Sequence, residues 1–163
     1  MARSSVLLAA WIVLATMAAP VRAAAQAPAS CPVTVAPDSE FTPPAPYPSR
    51  PYPGRFWYGT PALWTSLKAN GTVWSAPRRG DKVFWWQMGY NGRFEQQPEL
   101  TVTARRLDGD AQPLLINRRA TNAHHKDFGG WTMLTGVALP TAGCWEVTGQ
   151  YGGATLTFVV WVT

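Results

Sequence analysis

Cysteine and histidine are scarce in this chain, with two of each among 163 residues. Zinc sites built on pairs of these residues need more of them at set spacings, and no such spacing occurs. No glycine-rich phosphate cradle is present, and no serine sits in a Gly-x-Ser-x-Gly turn. No apolar run is long enough to span a bilayer comfortably. No stretch of a dozen residues shows helical periodicity with caps, which argues against a helical fold. Charge is sparse too, at 14% of residues. What remains is proline, glycine and tryptophan, with 15, 14 and 9 copies.

The chain starts with Arg3, an apolar run from Val6 to Ala19, then Pro20, Arg22 and Ala23-Ala24-Ala25. A charged start, a short apolar middle and small residues at a cleavage point read as a secretory signal peptide over 1–25. The mature chain is then expected from Gln26, outside the cytoplasm and without a transmembrane segment. Removing Arg3 and Arg22 leaves 12 basic residues against 9 acidic ones, a surplus of about +3. The doublets Arg78-Arg79, Arg105-Arg106 and Arg118-Arg119 are separated, without the basic stripe that nucleic acid requires. They read as solvated arginines, with contact to an anionic envelope polymer as the rival use.

Cys31 and Cys144 are alone in an oxidising compartment, so a disulfide is expected. Lipidation of Cys31 is the competing reading. It lacks the apolar residue three places upstream, where Pro28 stands, and it would strand Cys144. Residues 26–55 are proline-rich, including Pro43-Pro44-Ala45-Pro46 and Pro51-Tyr52-Pro53, and exclude helix or central strand. They read as an extended strap pinned at Cys31, with a middle that loops out.

Residues 56–163 read as short strands. Asn70-Gly71 between Leu63–Leu67 and Thr72–Ser75 signals a tight hairpin. Val83–Met88, Leu100–Ala104, Leu114–Ile116 and Trp131–Leu139 follow. Cys144–Tyr151 and Ala154–Val162 flank Gly152-Gly153 as a closing hairpin. Trp145 and Val147 then face the core with Leu156, Phe158, Val160 and Val162, while Cys144 points outward. The disulfide would clamp the strap over the outside of that sheet. Regular spacing of short strands predicts an all-β sandwich.

The run Gly143-Cys144-Trp145-Glu146-Val147-Thr148-Gly149, followed by Leu156-Thr157-Phe158-Val159-Val160, resembles the closing hairpin of bacterial immunoglobulin-like sandwiches. With Cys31-Pro32-Val33-Thr34, Phe56-Trp57-Tyr58-Gly59, Leu63-Trp64 and Ala120-Thr121-Asn122-Ala123-His124, the chain resembles short exported bacterial proteins of uncharacterised function. The resemblance implies an immunoglobulin-like fold and export, and implies no activity.

Three functions compete. The favoured one is a non-catalytic binding or accessory module for an envelope carbohydrate or protein partner, without cofactor. Its expected ligand surface is Trp85 with Gln87 and Arg105. Because Val83 is small and Gln87 polar, Trp85 is assigned to the outer face of its strand and Trp86 to the core. Trp85 would there meet a ligand or the strap. The second is a copper or other metal-handling protein using His124 or His125 with Met88 or Met133. The rival for that segment is a polar loop, since adjacent histidines on an extended chain point apart. The third is an envelope-polymer hydrolase whose scattered carboxylates converge only in space.

Overall fold

The computed structural model describes residues 26–163 apart from 70, 72, 76, 77 and 111. The expected leader, 1–25, and Asn70 and Thr72 of the expected hairpin lie outside the described residues. The chain forms β1 (Arg55–Thr60), β2 (Leu63–Lys68), β3 (Val73–Trp74), β4 (Gly80–Trp86) and β5 (Thr101–Arg106). It continues with β6 (Leu114–Asn117), β7 (Thr121–His125), β8 (Gly130–Ala138), β9 (Gly143–Tyr151) and β10 (Ala154–Val162). A 3-10 turn, Lys126–Phe128, sits between β7 and β8.

These strands make two five-stranded sheets, ordered β1-β2-β4-β8-β7 and β3-β10-β9-β5-β6. Pairing is antiparallel except for the short β3, which runs parallel to β10. One buried cluster joins them, with Trp85, Met133 and Val137 from the first sheet against Trp145, Val147, Phe158 and Val160 from the second. The all-β sandwich expectation holds at that level. The closing hairpin has the expected register, with Ala154 opposite Tyr151 and Phe158 opposite Val147, and the expected inward residues are buried.

The strands expected to pair across Asn70-Gly71 do not pair with each other. β2 pairs with β1 and β4, while β3 joins β10 in the other sheet. A turn signal does not say which strands pair, and β1 takes the free edge of β2.

The faces of β4 are also reversed. Trp85 is fully buried between the sheets and donates its indole N–H to Thr135 Oγ1 at 2.9 Å. Its ring lies on Gly149, where a Cβ would come within 2.4 Å of it. Trp86 lies on the outer face, in a second buried cluster with Trp57, Trp64 and Phe128. The assignment failed because this sheet is covered on both sides. A strand with two apolar faces carries no polar side by which to orient it, and Gln87 lies past the strand's end.

The strap supplies the second cover. Cys31 is bonded to Cys144, and Thr34 donates its N–H to the Val159 carbonyl at 3.0 Å while its hydroxyl accepts the Val159 N–H at 2.8 Å. The strap thus starts at β9 and β10, as expected. It then passes to the outer face of the other sheet, where Phe41 and Tyr47 pack edge-on against Trp64. Trp57 donates its indole N–H to the Pro48 carbonyl at 3.0 Å. The middle is docked and does not loop out. Its rigid, donor-poor backbone suits an aromatic surface that offers few acceptors.

Candidate ligand-binding cleft

Where the strap ends, the outer face of the first sheet is left partly open. Arg55 opens β1, Ser66 projects from β2, and Lys82, Phe84 and Trp86 alternate along β4 on this face. His125 closes β7, Phe128 follows it in the 3-10 turn, and Tyr52 comes from the strap. With Asp81 they enclose a cleft of about 160 Å³.

The walls are aromatic. Phe84 and Trp86 are 6.0 Å apart between ring centres with planes tilted by 32°. Tyr52 meets Phe128 edge-on at 4.3 Å, and His125 meets Phe128 at 4.6 Å. The Tyr52 hydroxyl is 2.7 Å from His125 Nε2. Asp81 stands between Arg55 and Lys68, each at 3.6 Å. These contacts are too long for good hydrogen bonds and only balance charge.

The polar atoms of this lining are unevenly matched. Arg55 Nε, Trp86 Nε1 and His125 Nδ1 are buried without a hydrogen-bond partner. A fourth such atom, Trp64 Nε1, lies in the same aromatic cluster as Trp86. Buried donors normally find acceptors, and an unmade bond costs about 1–3 kcal/mol. Arg55, Trp86 and His125 all line the cleft, with these nitrogens set beneath its accessible surface.

A wider, open groove lined by Arg78, Lys82, Gly136 and Ala138 shares Asp81 and Lys82 with the cleft. It continues the same outer surface across β4 and β8. Lys82 is exposed and Gly136, opposite it in register, has nothing near its missing side chain. The combined surface carries a basic excess over one carboxylate.

The expected ligand residues do not come together. Trp85 is inside the core, with no surface for stacking. Gln87 lies beside the β9–β10 turn, against Gly152. Arg105 is on the outside of the second sheet, paired with Glu146 at 2.9 Å. Of the residues that line the cleft, the sequence singles out Trp86 and His125; Tyr52 belongs to a strap whose docking no periodicity announces, and Arg55 opens β1.

The metal alternative is also dispersed. Met133 is fully buried in the core and Met88 is 46% exposed. His124 packs on Trp131 and His125 on Tyr52 and Phe128, on opposite faces of β7. That segment is an edge strand, not the expected loop. No group of three or more His, Cys, Asp and Glu that could hold a metal occurs among the described residues. The carboxylates are engaged separately: Glu146 with Arg105, Asp108 with Arg106, Glu99 with Arg119, and Glu95 with Tyr151. The Arg106 guanidinium holds the Asp108 carboxyl below its ordinary range.

Comparison with protein-family models, with curated proteins and with solved structures finds no match to this chain.

Proposed function

We propose that this chain is an exported, non-catalytic binding or accessory module, and that its binding surface is the outer cleft of the first sheet. The observation that carries the reading is an aromatic cleft whose lining includes Arg55, Trp86 and His125, each with an unpartnered nitrogen. Such a lining holds a ligand through its apolar faces and orients it through a few polar atoms. A single carboxylate, Asp81, lines the cleft, and two cations neutralise it. The other proton-exchanging ring on the lining, His125, has its Nε2 engaged by the Tyr52 hydroxyl.

Export is part of the same proposal. It is supported by the Cys31–Cys144 disulfide, which suits an oxidising compartment. No helix among the described residues is long and apolar enough to cross a membrane. The finer assignment to an immunoglobulin-like sandwich rests on the closing hairpin with its buried Trp145. The disulfide departs from that pattern. It ties the strap to one sheet instead of joining two sheets through the core.

Two measurements test the reading. The mature chain should co-sediment with purified insoluble cell-envelope material and release no soluble sugar from it. Failure to be retained refutes the module, and release of sugar makes the protein a hydrolase. Intact mass of the extracytoplasmic protein, with and without reductant and alkylating agent, should show loss of 1–25 and two thiols appearing only on reduction. Two free thiols in the untreated protein, or an added lipid mass, would refute that part.

A further inference from the structure

We infer that the cleft takes one acidic sugar unit, a pyranose ring bearing a carboxylate, as the end group of an envelope polysaccharide. The inference rests on the binding-module reading and gives it a ligand class. Three properties of the lining lead to it.

The first is the kind of polar atom left unmatched. Arg55 Nε and Trp86 Nε1 can only donate. If Tyr52 donates its hydroxyl proton to His125 Nε2, the ring's other nitrogen, Nδ1, carries a proton and becomes a third donor. A ligand matched to this lining is rich in acceptors. A carboxylate offers two oxygens and several lone pairs, and ring hydroxyls add more.

The second is charge. Arg55 and Lys82 line the cleft, Lys68 adjoins it through Asp81, and Arg78 lines the continuing groove. Four cations face one carboxylate, Asp81. Asp81 is held by Arg55 Nη2 and Lys68 Nζ, which leaves the exposed Lys82 amine to an incoming anion. A neutral sugar would leave that excess unanswered, and it would discriminate little against its competitors.

The third is shape. A space of about 160 Å³ between Phe84, Trp86, Tyr52 and Phe128 suits a single ring, not an extended chain. The aromatic faces carry negative charge density and meet the C–H surface of a sugar ring well. They offer nothing to a bare inorganic anion. The open groove past Lys82 then gives the next units of the polymer an exit along the sheet.

The test uses the full mature chain labelled with nitrogen-15 at tryptophan, so that each indole N–H gives one resonance. D-glucuronate is the probe, with D-glucose, acetate and inorganic phosphate as comparisons. Trp86→Phe assigns the Trp86 resonance and keeps an aromatic ring in place. The expected result is a saturable shift of the Trp86 resonance with glucuronate, at least tenfold tighter than with glucose or acetate. The Trp85 and Trp145 resonances should stay still. Lys82→Gln, at an exposed position, should weaken glucuronate several-fold and leave glucose unchanged, and the undisturbed indole pattern reports that the variant is folded.

Equal binding of glucose overturns the acidic class, and equal binding of acetate or phosphate overturns the sugar. Silence of Trp86 with all four probes overturns the site. If co-sedimentation with envelope material persists in any of these cases, the module reading survives and only this inference falls. Loss of both defeats the two together.

Discussion

Trp85 combines a fully buried ring, one hydrogen bond to Thr135 Oγ1 and a contact surface made by Gly149. Trp85→Ala should therefore destabilise the fold by about 3–5 kcal/mol, as large-to-small core changes do. Gly149→Ala approaches the same contact from the other side. Its new methyl has no room unless the indole moves, and a loss of about 1–3 kcal/mol is expected. Urea unfolding followed by circular dichroism measures both, and a Gly149→Ala protein as stable as the parent would contradict the packing described. Two residues along β9 from Gly149, Tyr151 bonds to the Glu95 carboxylate, and Tyr90 donates to the Glu95 carbonyl at 2.9 Å. Burial, helped by the Glu95 charge, pushes the Tyr90 phenol up to about 12. Burial and the bond to Glu95 raise Tyr151 as well. Both values lie above the ordinary 10, so folding favours the neutral phenols. Their contribution is complete below pH 10 and is lost as the pH rises toward and past about 12. Burial raises Tyr47 too, so an ultraviolet titration of phenolate should show three late-ionising tyrosines, one fewer in Tyr151→Phe. Five tyrosines ionising together near their ordinary value would count against this arrangement.

The strap is an element without regular secondary structure, yet it decides what the first sheet exposes. Phe41 and Tyr47 cover Trp64, and Pro48 accepts the indole N–H of Trp57. Replacing residues 36–50 by a Gly/Ser linker of equal length should uncover Trp57, Trp64 and Trp86 while leaving the inter-sheet core in place. The expected outcome is strong binding of a hydrophobic dye and self-association, with the β signal in circular dichroism retained. A monomer that binds no dye would show that the strap covers nothing of consequence. This element also marks where sequence reading stops. The strands of the closing hairpin were legible because one face is apolar and the other carries Glu146, Thr148, Thr155 and Thr157. In β4 the alternation is lost, since Val83 and Trp85 serve one core while Phe84 and Trp86 serve another. Proline content correctly excluded helix from 26–55, but it does not say which surface an extended segment lies on. The cleft was illegible for the same reason. It forms where the strap's Tyr52 meets His125, 73 residues away in the chain.

At the scale of the whole molecule, the Cys31–Cys144 disulfide joins residues 113 apart with Cα atoms at 5.6 Å. Nearly every strand lies inside the loop it closes, from β1 through β8, with β9 at its end. On the chain-entropy account, closing a loop of that length removes enough freedom from the unfolded chain to stabilise the fold by about 4–5 kcal/mol. The cysteines were legible as a pair because the chain holds only two. The path of the strap between them and the first sheet was not. In the folded protein the bond is one of several anchors, beside the Thr34–Val159 pair and the Trp57–Pro48 bond. Those anchors predict that the native arrangement outlasts reduction. Cys31→Ser combined with Cys144→Ser should keep the parent's near-ultraviolet circular dichroism at low temperature, where packed tryptophans dominate. Its denaturant midpoint should fall by an amount matching most of that stabilisation, in one transition, because a single inter-sheet core must come apart as a unit. Two separated transitions would mean that the sheets unfold independently. A midpoint shift worth less than about 1 kcal/mol would mean that the unfolded chain is already compact enough for the bond to add little.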